Sequence, residues 1–119
     1  MVCKKMFTPT EIFRARIVYF ILINEPYEAL EILSNHYGIV TPKLTVGMPK
    51  RYSKNPACYV ANKHVIHVSH RYVLSNPHII LHEFYHHLRN VSNDQGGIEK
   101  YANCFAKNFI HDYQKATKY

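Results

Sequence analysis

The sequence predicts a small α+β domain: two N-terminal helices, a small, mostly antiparallel sheet of about three strands, then two further helices. Three observations predict it. Apolar residues recur at helical spacing towards both ends of the chain. Helix starts led by Pro9, Pro26 and Pro77 punctuate it. The middle, from Ile39 to Leu74, breaks into short β-rich pieces separated by Pro42, Pro49 and Pro56.

Thr8-Pro9-Thr10-Glu11 has the pattern of a capping box with Pro at the first helical position. Ile12, Phe13, Ile17, Phe20 and Ile21 follow at helical spacing, so a helix is expected over about 9–23. Asn24-Glu25-Pro26 restarts the chain as a second helix, which carries Leu30 and Leu33 and stops at Gly38. Strands are expected at Lys43–Val46, Ala57–Ala61 and His64–Ser69, the last two joined by a tight hairpin at Asn62-Lys63. His64, His67 and His70 recur every third residue, a period no strand shares, so they should not all occupy one face. Asn76 then caps a helix with Pro77 at its first position, expected to run to about Asn90. A loop, Val91–Gly97, leads to a last helix from near Ile98, with Ile98, Tyr101, Ala102, Phe105, Phe109, Ile110 and Tyr113 on one stripe.

Composition narrows the function classes. The chain has 119 residues, of which 47% are apolar and 19% charged, which suits one domain over 1–119 and argues against compositional disorder. Its longest apolar run, Ile17–Ile23, is too short for a bilayer span, which needs about 20 residues. The first residues lack the apolar core and small-residue cleavage site of a secretory signal, so the chain reads as soluble and cytoplasmic, with no membrane partner. Cys3, Cys58 and Cys104 are odd in number and contain no C-x-x-C, which disfavours a disulfide framework or a cysteine-based metal site. A net charge of +7 permits nucleic acid as a partner, yet the basic residues look scattered and no aromatic-basic RNA motif is present.

The chemistry concentrates in His82-Glu83-Phe84-Tyr85-His86, an H-E-x-x-H placed mid-helix after a clear cap. Nine histidines in the chain leave about 0.03 chance matches to that motif. Residues four apart lie about 40° apart around a helix, so both imidazoles project from one face and can grip one cation, with Zn²⁺ the natural choice. Glu83, about 100° round from His82, is placed to hold a water rather than to join the ligands. A third ligand at the position following H-E-x-x-H-x-x-G is excluded, because Arg89 and Ser92 stand where that pattern needs Gly and His. The alternative is a glutamate on the next helix: Glu99, across a glycine-containing loop. Ala102 is small enough to let the two helices approach, and Asn103, one turn after Glu99, faces the same way and can hydrogen-bond a ligand histidine.

At these residues the chain resembles the gluzincin metallopeptidases. The run Glu99-x-x-Ala102-Asn103-x-Phe105-Ala106 looks like the glutamate helix of the ImmA/IrrE type, and the short length looks like the minimal members, the minigluzincins. The resemblance implies a zincin-like fold and a zinc-dependent endopeptidase acting on peptide or unfolded protein, with one zinc ion held by His82, His86 and Glu99. It implies Glu83 as general base and then acid, and Asn103 as support for a ligand. It also implies a Tyr or His donor to the oxyanion, for which Tyr101, His111 and Tyr113 are candidates, although Tyr101 and Tyr113 also fit the core stripe. By the same resemblance the strand before the zinc helix, Val65, Ile66, His67 and Val68, lines the substrate cleft. Self-association or the tail Gln114–Tyr119 is a candidate for controlling access. A DNA-associated regulatory peptidase (ImmA/IrrE-like or SprT-like) and an inactive zinc-binding interaction module are the alternatives. His87 reads as a solvated neighbour, His64, His67, His70 and His78 as surface or supporting groups, and Cys104 as a packed thiol.

Overall fold

The structure, a computed structural model, describes residues 6–92 and 97–118. In chain order it has α1 (Pro9–Leu22), α2 (Pro26–Tyr37), β1 (Lys43–Val46), β2 (Ala57–Val60), β3 (Val65–Val68), α3 (Pro77–Val91) and α4 (Glu99–Thr117). This is the expected α+β arrangement of four helices around a three-stranded sheet.

Local chemistry explains the helix boundaries. Thr8 Oγ1 accepts from the Glu11 N–H and Glu11 Oε1 accepts from the Thr8 N–H, closing the capping box at 3.1 and 2.9 Å. Gly38 ends α2 at φ 68°, a left-handed conformation that costs a glycine little. Asn76 Oδ1 caps α3 through the Ile79 N–H at 3.1 Å.

The core lies between the helices and one face of the sheet. Ile17, Val18 and Ile21 of α1, Ala106 and Phe109 of α4, Leu44, Ile66 and Val68 of the sheet, and Ile80 and Phe84 of α3 belong to one buried cluster. Two polar links fix α1 along α4: Arg14 Nη1 donates to Asp112 Oδ2 at 3.2 Å, and Lys115 Nζ donates to Glu11 Oε2. The Lys115 hydrogen bond, helped by the Thr8 N–H, lowers the Glu11 carboxyl from 4.5 to about 2. A lowered folded-state value adds stability above the unfolded-state value and loses it as pH falls. Wild type should therefore exceed Glu11→Gln in urea stability at pH 6, and the difference should shrink as pH falls from about 4.5 towards 2.

The sheet departs from the expected pairing. Its order is β1-β3-β2, with β3 parallel to β1 and antiparallel to β2, so it is mixed rather than mostly antiparallel. Alternation along a strand reports which residues share a face, not which neighbour the strand joins. Segment 47–56 crosses the outer face of β3, the face away from the helices, and delivers β2 to the far edge. It is pinned there by His67 Nδ1–H donating to the Gly47 carbonyl at 2.9 Å and by the Ser69 N–H donating to the Pro56 carbonyl at 2.8 Å. The β2–β3 hairpin is also looser than the two-residue turn expected. A 3-10 turn, Ala61–Lys63, is followed by His64 in left-handed backbone at φ 54°.

Candidate metal centre

α3 carries two functions on adjoining faces. Ile80, Leu81, Phe84 and His87 are buried in the core, which turns His82, Glu83 and His86 towards a cleft between α3, β2 and the start of α4. Gly97 lets α4 begin there. Its φ is +69°, and a Cβ would stand 2.5 Å from Tyr85 Cε2 and 2.9 Å from Arg89 Cγ, so only glycine lets the chain pass so close to α3. Ala102 and Ala106, both fully buried, keep the two helices close thereafter.

The result is a convergence of three side chains from two helices. His82 Nε2 lies 2.9 Å from Glu99 Oε2, and His86 Nε2 lies 2.7 Å from Glu99 Oε1. Ligand atoms of all three lie within 4.8 Å of one another, the spacing of a group able to hold one metal ion. Asn103 orients the first histidine, since His82 Nδ1–H donates to Asn103 Oδ1 at 2.9 Å and so directs the Nε2 lone pair at the shared centre. Both nitrogens of His82 thus face oxygen acceptors, and a neutral imidazole carries one proton. A cation between Nε2 and the carboxylate satisfies that arrangement. Two imidazoles with one carboxylate form a donor set suited to first-row divalent ions. Asn103→Ala should weaken metal binding about tenfold to a hundredfold without unfolding the protein, read by competition of the protein with a chromogenic chelator for zinc.

Glu83 stands beside this group and lines the cleft on both sides of it. Burial pushes its carboxyl above the ordinary value and the Glu99 carboxylate adds to the rise, against the opposing pull of His82 and His86. A carboxyl raised in this way holds a proton more readily than an exposed one, which suits a group that accepts and returns a proton. Burial, reinforced by Glu83, likewise raises the Cys58 thiol, which keeps it protonated and inert.

Two cavities, of 410 and 400 Å³, meet at Asn55, Ala57, Glu83 and Glu99 and form one groove. Tyr52, Tyr59 and His86 wall one end, and His78, His82 and Asn103 the other. His78 lies one turn before His82, and burial, followed by the charges of His82 and Lys107, lowers its pKa, so it stands neutral. The free edge of β2 forms the third wall. Pro56 pairs with Ser69 through a ladder bond, so by alternation Cys58 and Val60 bond to β3 while Ala57 and Tyr59 turn their N–H and C=O groups outward.

His82, Glu83, His86, Glu99 and Asn103 thus come together as expected, and other readings do not. Val65, Ile66, His67 and Val68 belong to the central strand, whose two edges are taken by β1 and β2, so they cannot receive an added strand; the edge strand at the groove is β2. None of the three donor candidates lines the groove. Tyr101 is 55% exposed, and His111, also exposed, lies about 18 Å along α4 from Glu99. Tyr113 sits at the far end of α4 beside Phe7 and Ile12. The tail from Gln114 continues α4 to Thr117 beside α1, far from the groove, and Tyr119 lies outside the described residues. Cys104 is exposed rather than packed.

His87 is the largest surprise. It is fully buried, not solvated: Nε2–H donates to the Val40 carbonyl and Nδ1 accepts from the Tyr59 hydroxyl, each at 2.7 Å. Asn90 Nδ2 donates to the same hydroxyl at 3.1 Å. Burial lowers the His87 pKa, so a neutral imidazole ties α3 to the edge strand. Its signal was present in the spacing Ile80, Phe84, His87, which places residue 87 on the core stripe.

No helix of the described residues is long and apolar enough to cross a membrane. No protein-family model matches the chain, and no curated protein or solved structure matches it either.

Proposed function

We propose that this protein is a zinc-dependent endopeptidase of the minimal gluzincin type. The observation that supports the reading most is the convergence of His82 Nε2, His86 Nε2 and the Glu99 carboxylate beside a buried carboxyl, in a groove walled by an open strand edge. Two histidines and a glutamate are a donor set of catalytic zinc, and a Glu99 side chain 76% exposed leaves the centre open to water and substrate. When bound, zinc supplies Lewis acidity, which acidifies a water and polarises a carbonyl.

The chain's own residues do the remainder. Ala57 and Tyr59 offer outward N–H and C=O groups to an extended peptide, which binds as an added strand along β2. Glu83 takes the proton of the attacking water and returns it to the leaving amine, a role suited to its raised pKa. Tyr59 donates its hydroxyl hydrogen bond to His87, so Tyr52, Asn55 and His78 are the wall residues left to donate to the carbonyl oxygen as it gains charge. The test is hydrolysis of casein with zinc, with a chelator, and with Glu83→Gln. Cleavage that needs both zinc and Glu83 supports the reading; one equivalent of tightly bound zinc without cleavage points instead to an interaction module pinned by metal.

A further inference from the structure

Between residues 32 and 82 the chain carries Lys43, Lys50, Arg51, Lys54, Lys63 and Arg71 and no Asp or Glu. That stretch contains the whole sheet, so the basic residues that look scattered in sequence share an element with no acid of its own; Glu83 and Glu99 approach it from the groove side and Glu31 beside Lys43. On the outer face of the sheet, segment 47–56 encloses a further cavity of 470 Å³. Met48, Pro49 and Val60 give it an apolar lining, Arg51 and Lys63 give it a cationic rim, and His67 closes one side. This cavity meets the catalytic groove at Tyr52, which lines both.

A peptide added to β2 sends alternate side chains to the two faces of the sheet. Those on the outer face arrive beside Tyr52, where the nearby side-chain charges on segment 47–63 are all positive. We propose that this cavity is a subsite for acidic side chains of the substrate, an inference that rests on the peptidase reading. With no acid in the segment to offset them, Arg51 and Lys63 add to one field. The Arg51 guanidinium matches a carboxylate in two-pronged geometry, and the apolar lining accepts the methylenes of glutamate. The cations rim a 470 Å³ pocket, with room to spare for an acidic side chain, next to a strand edge, which favours an acidic polypeptide over nucleic acid.

The experiment uses three fluorescein-labelled peptides of equal length that differ only in carrying Glu, Gln or Lys at alternate positions. Their binding to Glu83→Gln protein in zinc-containing buffer is read by anisotropy, so no peptide is cut. The Glu peptide should bind about tenfold more tightly than the Gln peptide at low salt, with the Lys peptide weakest, and the gap should narrow at high salt. Arg51→Glu with Lys63→Glu, both at exposed positions, should erase or reverse the order while leaving the circular dichroism unchanged. Equal binding of the three peptides, an order untouched by the double variant, or displacement of the Glu peptide by an oligonucleotide more readily than by unlabelled peptide would overturn the proposal. Wild-type protein on the same peptides separates the two readings. Charge-ordered binding without cleavage sinks the peptidase and keeps the subsite, whereas cleavage indifferent to charge does the reverse.

Discussion

Glu83→Gln should abolish peptide hydrolysis and leave one zinc bound per chain. The amide keeps the shape of the side chain but cannot accept the proton of the attacking water, so kcat/KM on casein should fall by about 10³-fold or more, a barrier rise of about 4 kcal/mol. The metal should remain, because the group able to hold it is made of His82, His86 and Glu99 and does not include Glu83. The thermal midpoint should hold or rise, since the substitution removes a carboxyl whose charged form is disfavoured by burial. Zinc by mass spectrometry, kcat/KM and thermal melting on one preparation separate lost chemistry from lost folding. Activity within a few-fold of wild type would remove Glu83 from the mechanism.

Glu99→Ala should have the largest effect on metal. The Glu99 carboxylate is the anionic member of the group and meets both imidazoles, at 2.9 and 2.7 Å. Without it two imidazoles with centroids 5.0 Å apart remain, and zinc affinity should fall by at least about 10³-fold, beyond the effect of losing a supporting hydrogen bond such as that of Asn103. Binding to the folded state alone also stabilises it. Zinc at about one hundred times its dissociation constant should add about 2.7 kcal/mol to wild type, roughly a 10 °C rise in Tm. Glu99→Ala should show almost none of that rise, whereas Glu83→Gln should show all of it. The pair therefore divides binding from catalysis, and a zinc-dependent rise of equal size in both would place the metal elsewhere.

Short-range signals made much of this site legible. Capping at Thr8 and Asn76, the left-handed end of α2 at Gly38 and the motif on α3 are encoded within a few residues of one another, and each stands where its local chemistry requires. Glu99 was legible because glycine before it and small residues after it permit two helices to approach. Pairing between strands was not legible. Nothing in Lys43–Val46 says that it lies parallel to Val65–Val68, and that choice decides which strand keeps an open edge at the groove. The same limit hid the walls: Tyr52, Asn55 and Tyr59 reach the groove only because segment 47–56 crosses the sheet. Tyr101 shows the opposite failure. It fits the apolar stripe of α4, but Ala102 and Ala106 take the close contact and leave the tyrosine facing out.

The most direct test of the central claim is anomalous diffraction at the zinc edge from crystals grown with equimolar zinc. A single peak within about 2.0–2.2 Å of Nε2 of His82, Nε2 of His86 and a carboxylate oxygen of Glu99 is the result expected of a three-ligand catalytic centre. A peak held by other residues, or one coordinated by the two histidines while the Glu99 carboxylate points into solvent, would contradict it.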